Sequence, residues 1–415
     1  SIQTMSPSGL NQPPPRPGRS GGGPQGTPGR VSLSPAVQPP PEVPLEEAAY
    51  RAKESPRAEA DLTCDECGAP LRWSPDVGAL TCEHCGAHRD VAVAQGTIVE
   101  RPLTEEAVST AARGLGRAVK VLSCETCDAR VSFEGASVSE ACPFCGSPGV
   151  LAQEANRNSL RPESLIPLEV GEGHVKKAFH KWIHGLWFRP NALKKTKRFN
   201  AVGVYVPAWT YDADVHSDWS AQSGTYYYVT QSYTVRQNGR SVRRTRRVRK
   251  VRWRPAWGDR DDSYDDVLVI ASKGIDGKLG QRLGPFAADG LVPYSPEYLA
   301  GWRAEEYQTD LEQGWVEAKQ RIEVSQRSRC ASDVPGDTQR ALKVQNRITD
   351  IHWKHVLLPM WSVTYQFRGR PYAVLVHGQS GRIVGRAPYS WIKILLFILM
   401  LLAIAGAVAL VSQGR

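Results

Sequence analysis

The hydrophobic and polar positions of this chain fall into three kinds of stretch. In the first, from Ile394 to Val411, eighteen successive residues carry no charge and leave no polar face. A helix of that length, at ~1.5 Å per residue, is about 27 Å long, enough to cross the hydrocarbon layer of a bilayer. Trp391 stands where an interfacial aromatic anchor belongs. Residues 389–412 are therefore expected to form a single transmembrane helix.

In the second kind, apolar residues recur at helical spacing. His174 to Trp187 reads as an amphipathic helix, and another helical stretch is expected from Pro296 to about Arg327. Thr104 to Arg113 (TEEAVSTAAR) reads as a short helix with Thr104 as its N-cap and acids in its first turn, stopped by Gly114 and Gly116. The third kind suits strands: LIPLEV at 165–170, and VGVYVPAWTYDADV at 202–215, which is apolar on both faces. There Pro207, with no N–H to give a ladder, should force a bulge or an edge. A related phrase, LLPMWSVTYQF, returns at 357–367. Each phrase joins Pro-x-Trp to a following Tyr, and each comes after a helical stretch. Residues 151–388 are thus expected to form an antiparallel-sheet α+β domain with two similar halves. The turns Arg368-Gly369-Arg370 and Gln379-Ser380-Gly381 would complete a meander in the second half.

Between the halves lies Asn238-Gly239, the sequence of a two-residue hairpin turn. It sets Val235 opposite Val242, Tyr233 opposite Arg244, Val229 opposite Val248 and Tyr227 opposite Lys250. From Arg236 to Arg254 there are ten basic residues and no acidic one. Charges on both faces, with Arg243, Arg247 and Arg249 on the second, argue that hairpin 225–254 projects outward. Arg243, Arg244, Arg246, Arg247, Arg249, Lys250, Tyr227 and Tyr233 form a candidate surface for a polyanion, either nucleic acid or anionic lipid. The alternative is pairing with the chain's own acids, DRDDSYDD at 259–266 or those of the cysteine-rich region.

Residues 1–60 hold thirteen of the thirty prolines and almost no large apolar residue, so a disordered tail is expected there. The stretch shows neither the charged start nor the apolar centre of a signal peptide.

The cysteines carry the most specific chemistry. Cys64/Cys67 and Cys82/Cys85 form two CxxC pairs with fourteen residues between them, and the arrangement returns as Cys124/Cys127 and Cys142/Cys145. Each CxxC puts two thiolates on one tight turn, and a hairpin brings the second turn opposite the first, around one tetrahedral zinc ion. Residues 61–90 and 121–150 thus read as tandem zinc ribbons, with a linker and the short helix at 91–120. Gly68, Gly86 and Gly146 follow the second cysteine of three knuckles, where a positive φ turns backbone N–H groups toward sulfur; Asp128 fills the fourth place. Trp73 and Phe133 are equivalent aromatics expected to pack behind the knuckles. Two Zn²⁺ ions, saturated by protein ligands, are structural rather than catalytic. His84 and His88 read as surface residues. His180 and His184 stand one helical turn apart but lack the acid of HExxH, Lys181 taking its place.

Charge refines this picture. From Asp61 to Glu154 seven basic residues face fourteen acidic ones, whereas the whole chain has a net charge of +10. The ribbons are thus poorly suited to gripping phosphate. Cys330 is the one cysteine left over, a pattern that fits a reducing compartment. Arg382, Arg386 and Lys393 precede the apolar run, which by the positive-inside rule puts the N-terminal portion in the cytoplasm.

Several phrases also carry a resemblance: the doubled ribbon ending CPFCGSP, GVYVPAWTYDADV, WRPAWG at 253–258, LVPYSPEYLAGWRAEEY at 291–307, HVLLPMW, and SWIK leading into the apolar run. Together, over roughly residues 64–405, they resemble a bacterial family of membrane-anchored TFIIB-type zinc ribbon-containing proteins, often labelled primosomal protein N′/replication restart helicase-like. The resemblance implies an architecture and a place at the inner membrane rather than a reaction. No GxxxxGK[ST] phosphate loop or HExxH occurs in the chain. The expectation is a non-catalytic, membrane-tethered adaptor with a protein partner; the alternative is a tethered nucleic-acid-binding protein working through its hairpin.

Overall fold

The computed structural model describes residues 62–413 except 92–97, 116–119, 134–140, 155–158, 197–198, 238–239 and 276. The proline-rich stretch 1–60, Gly116 and the Asn238-Gly239 turn lie outside the described residues, as does the side chain of Phe133. All described residues belong to one unit, Glu54–Arg415.

The architecture is α+β, and one strand organises it. β9 (Phe199–Gln237) runs for 39 residues, and its burial changes along its length with its sequence. Gly203 to Tyr211 are buried on both faces, Ala213 to Ala221 alternate between buried and more exposed positions, and Thr225 to Arg236 are mostly exposed. A continuous apolar run thus makes a central strand, an alternating run a one-sided strand, and a polar run a free-standing ribbon. β14 (Thr338–Phe367) repeats the gradient in reverse and pairs antiparallel with β9 from Thr338↔Gly224 to Tyr365↔Phe199. Its register shifts at Arg340/Lys343 and Thr349/His352, where Ala341 and Asp350 take φ of +54° and +52°; these are β-bulges that let the long pair twist.

The main sheet runs β10 (Arg240–Tyr264), β9, β14, β15 (Arg370–His377), β16 (Ile383–Gly385). β11 (Val269–Ile270) and β13 (Arg303–Ala304) add to β9, while β4 (Arg101–Pro102) and β8 (Ser164–Leu165) add to β14; β12 (Val292–Pro293) pairs with β8. Pro207 lies inside the sheet, opposite Leu357, between the pairings of β9 with β13 at Tyr205 and with β11 at Ala208. The missing N–H falls where one flanking strand hands over to the next. The turn before β15 has φ of +53° at Arg368 and +74° at Gly369, the signature of a two-residue hairpin.

Among the described residues five α-helices accompany the strands: α1 (Glu105–Thr110), α2 (Glu172–Gly185), α3 (Gly277–Leu283), α4 (Leu311–Asp333) and α5 (Trp391–Gln413). In α1 the Thr104 hydroxyl accepts the Ala107 N–H. α2 buries Val175, Phe179 and Ile183, one per turn, against the sheet. α4 lies against β9 at Gly314, where a Cβ would collide with Tyr211 and Trp209. The helical stretch expected from Pro296 instead begins at Leu311, capped by Asp310. Residues 296–304 form a 3₁₀ turn and β13, because their apolar residues are used by neighbours on both sides. LIPLEV likewise gives only Leu165 to a strand, β8, the remainder continuing as a segment whose Ile166, Glu169 and Val170 N–H groups donate to Leu357 and Gly378 carbonyls.

The two Pro-x-Trp phrases meet at the centre with matching contacts. The Pro207 carbonyl accepts the Ala271 N–H, and the Ala271 carbonyl accepts those of Gln308 and Thr309. The Pro359 carbonyl accepts the Gly378 N–H, and the Gly378 carbonyl accepts those of Glu169 and Val170.

Candidate metal centres

Each cysteine loop closes in the same way. Gly68 donates to the Cys64 carbonyl, Gly86 to Cys82, Asp128 to Cys124 and Gly146 to Cys142. All four donors have positive φ: +71°, +77°, +58° and +73°. The first cysteine of every loop also donates its N–H five residues ahead, Cys64 to Ala69, Cys82 to Ala87, Cys124 to Ala129 and Cys142 to Ser147. In the first centre β1 (Leu71–Ser74) and β2 (Ala79–Cys82) carry one loop to the other, with β3 (His88–Arg89) beside β2. In the second, β5 (Lys120–Cys124) lies between β6 (Arg130–Phe133) and β7 (Val150–Glu154).

The outcome is two clusters of four sulfurs. Cys64 and Cys85 are 3.6 Å apart and Cys67 and Cys82 3.5 Å; Cys124–Cys145 and Cys127–Cys142 are both 3.6 Å. Four thiolates ~2.3 Å from one zinc ion sit about 3.8 Å from each other, whereas a disulfide needs ~2.05 Å. Each set therefore has the spacing and donor chemistry to hold a metal ion. One thiol of each cluster is the readiest to ionise while contact among the sulfurs pushes others, Cys127 above all, upward: the Cys85 N–H, with that of His84, holds Cys82 down to about 6. Contact with the Cys127 sulfur, aided by the Cys145 and Phe144 N–H groups, holds Cys142 down to about 5.

The two centres differ in exposure. Cys67 and Cys85 are exposed, while their counterparts Cys127 and Cys145 are half-buried. The second centre is held to the sheet by Phe144, by the Ser362 hydroxyl on the Pro143 carbonyl, and by the Ser132 hydroxyl, which accepts the Ala304 N–H. The first is held by Trp73: its indole donates to the Leu168 carbonyl at 3.1 Å, its backbone pairs with Ala300, and its carbonyl accepts the Trp302 indole. One strap, residues 298–306, thus touches both centres, with Tyr298, Ala300 and Trp302 on the first and Ala304 to Glu306 on the second. Its fixed order of contacts is invisible in spacing. Glu305, buried within it and accepting from Ser272, is pushed up to about 8 by burial.

His84 is exposed and His88 contacts the Thr81 hydroxyl. His184 bonds through Nδ1 to the His180 carbonyl. A third group, Asp212, Asp265 and Asp266, also converges, but the buried Lys354 ammonium stands 2.7 Å from Asp266 and from Glu100. That cluster holds its own cation.

The hairpin register is the expected one. Val242 pairs with Val235, Arg244 with Tyr233, Val248 with Val229 and Lys250 with Tyr227. Beyond Gly224 β9 is paired with β10 alone among the described residues, so a two-stranded arm ~45 Å long leaves the sheet. Arginines lie over tyrosines on both faces: Arg246 over Tyr233 and Arg252 over Tyr227 on one, Arg247 over Tyr228 and Arg249 over Tyr226 on the other. Of the downstream acids, Asp262 pairs with Arg260 and Arg329, Asp261 with His216, and Asp266 with Lys354. The arginines around Asp262 hold its carboxyl far below the usual range.

α5 is long and apolar enough to cross a membrane, with an 18-residue window from Trp391 to Val408 of mean hydropathy 2.6 and no part of it buried.

The chain is similar to the uncharacterized protein YdjG of Bacillus subtilis (strain 168), 26% identical over 335 residues that cover 79% of this chain and 89% of that protein. No protein-family model matches. No solved structure matches.

Proposed function

We propose that this protein is a non-catalytic adaptor: a body stabilised by two structural zinc ions, tethered by α5 to the bacterial inner membrane with its N-terminal portion in the cytoplasm. The observation that carries this reading is the pair of four-sulfur clusters. Four protein ligands leave no open coordination position for water or substrate, so the metal organises the fold and does no chemistry. Both clusters also fit zinc ribbons, and both lie on the body that ends in the apolar α5. Tetrahedral thiolate sites suit a reducing compartment, and Arg382, Arg386 and Lys393 ahead of the apolar run favour the cytoplasmic side.

The test combines metal content with fractionation. Elemental analysis of the full-length protein is expected to give two zinc per chain, and deletion of residues 391–415 to move it from the membrane to the soluble fraction. A metal-free preparation, or a truncated chain still sedimenting with membranes, would sink the reading. Native-membrane pull-down then identifies the partner.

A second reading is supported by the hairpin register. An arm bearing arginine and tyrosine on both faces is suited to a polyanion, nucleic acid or anionic lipid. Under this reading the protein is a tethered nucleic-acid-binding protein.

A further inference from the structure

The chain between α2 and β9 makes a ledge beside the start of α5. Lys393, in the first turn of that helix, donates through Nζ to the Trp187 carbonyl at 3.1 Å and to Asn191 Oδ1 at 2.7 Å. The Ser390 N–H donates to the Phe188 carbonyl. Arg189 stacks on the Tyr389 ring with its guanidinium carbon 3.5 Å from the centroid. The Phe188 ring meets that of Phe397 edge to face at 5.3 Å. Phe397 lies six residues beyond Trp391, ~9 Å further along the helix axis. The ledge therefore reaches alongside the apolar helix and does not stop at its first residue.

Its outer face carries an exposed tryptophan. Trp187 is 74% exposed, and Tyr389 and Trp391 beside it are 62% and 79% exposed. In water alone, three large aromatics left uncovered on two segments joined by the Ser390–Phe188 and Lys393–Trp187 contacts are costly. Tyr and Trp have the lowest cost where one end is apolar and the other wet, at the level of lipid headgroups. The charge around them has one sign: from Leu186 to Arg198 the chain has five basic residues and no acidic one.

We infer that residues 186–196 are a second membrane contact, an aromatic and basic ledge that lies in the interface of an anionic bilayer. This rests on the reading of α5 as a membrane span. Continuity with α5 selects lipid as the occupant: with Lys393 tied to the Trp187 carbonyl, a bilayer that takes in Phe397 meets Trp187 as well. Lys194 and Lys195 then meet the headgroups. Two contacts, helix and ledge, fix the tilt of the body over the membrane where a helix alone would leave it free to swing.

Photocrosslinking tests it. p-Benzoylphenylalanine replaces Trp187 in the full-length protein, reconstituted in vesicles of phosphatidylglycerol and phosphatidylcholine. A control places the same probe at Trp257, which is 77% exposed on β10. The expected result is phospholipid adducts at 187 at least fivefold above those at 257. Lys194→Gln with Lys195→Gln should lower the yield by about fivefold per lysine removed, and pure phosphatidylcholine should do likewise. Adducts at 187 confined to protein, or equal lipid yields at the two positions, would overturn the ledge. Carbonate extraction of the same vesicles separates the two readings: chain released by carbonate overturns the span and the ledge together, while chain retained without lipid adducts at 187 overturns the ledge alone.

Discussion

Trp361 donates its indole N–H to the carbonyl of Val170 at 2.7 Å, and Val170 is the residue just before the N-cap of α2. Trp209 donates to Thr309 at 2.9 Å, just before the N-cap of α4. Each tryptophan thus fastens the helix of the other Pro-x-Trp half, α2 preceding β9 and α4 preceding β14. The halves are interlocked by exchange, and neither can bury its helix start without its counterpart.

Trp361→Phe should therefore cost more than a surface substitution. Trp361 is 1% exposed, so the change leaves a buried carbonyl without a donor and a void where the larger ring stood. Together these give about 2–4 kcal/mol. The check is the urea midpoint of the zinc-loaded full-length protein in detergent, against Trp257→Phe as an exposed control. Trp209→Phe should fall in the same range, and equal midpoints for core and control variants would contradict the interlock.

Exposure predicts an order of metal loss. The first centre has exposed sulfurs at Cys67 and Cys85, and the second has half-buried ones at Cys127 and Cys145, with Phe144 4% exposed beside them. A chelator attacks sulfur it can reach. Zinc transfer to a chromogenic chelator should be biphasic, one equivalent per phase. Cys64→Ser should abolish the fast phase and Cys124→Ser the slow one, each leaving about one zinc bound. Loss of the slow phase in Cys64→Ser would reverse the assignment.

Much of this was legible because it depends on short-range chemistry. Cysteine spacing brings four sulfurs together through identical loops, and Asn238-Gly239 fixes pairings as far as Tyr227↔Lys250 because a two-residue turn admits one register. Pairings that run through other parts of the chain left no such mark. The strap at 298–306 is apolar on two sides, which mimics a helix pattern, yet its residues serve Trp73 on one side and Ser132 on the other. Gly314 reads as a weak helix residue, though it is where α4 approaches Tyr211. Glu305 follows Ala304 with nothing to announce its burial.

His355 should make stability fall on acidification. It is 3% exposed, packed 4.6 Å from the Trp209 ring, and its Nδ1 bonds to the Leu160 carbonyl at 2.9 Å. Burial disfavours the imidazolium and holds the group down to about 4 from an ordinary 6.5. Between those values the unfolded chain binds more protons than the folded one, so stability rises with pH through the window and is lost as pH falls from 6.5 toward 4. The effect is on the order of 3 kcal/mol at full extent. His355→Asn keeps a donor for the Leu160 carbonyl without the titration. Its urea midpoint should lose less between pH 7 and pH 5 than that of the wild type, at matched zinc content. Parallel losses would remove His355 as the source.

The hairpin arm carries the last prediction. If it binds nucleic acid, each arginine on a phosphate releases a counterion, and log K falls with log salt in proportion to the contacts made. Arg243→Gln, Arg244→Gln, Arg246→Gln and Arg247→Gln together should reduce the slope for a single-stranded oligonucleotide by about 3 in filter binding. Tyr227→Leu with Tyr233→Leu should weaken binding roughly thirtyfold or more, since stacking gives about 1–3 kcal/mol per base, and leave the slope unchanged. That split separates charge from stacking. A wild-type slope near zero, or one untouched by the four arginine changes, would remove nucleic acid from the arm.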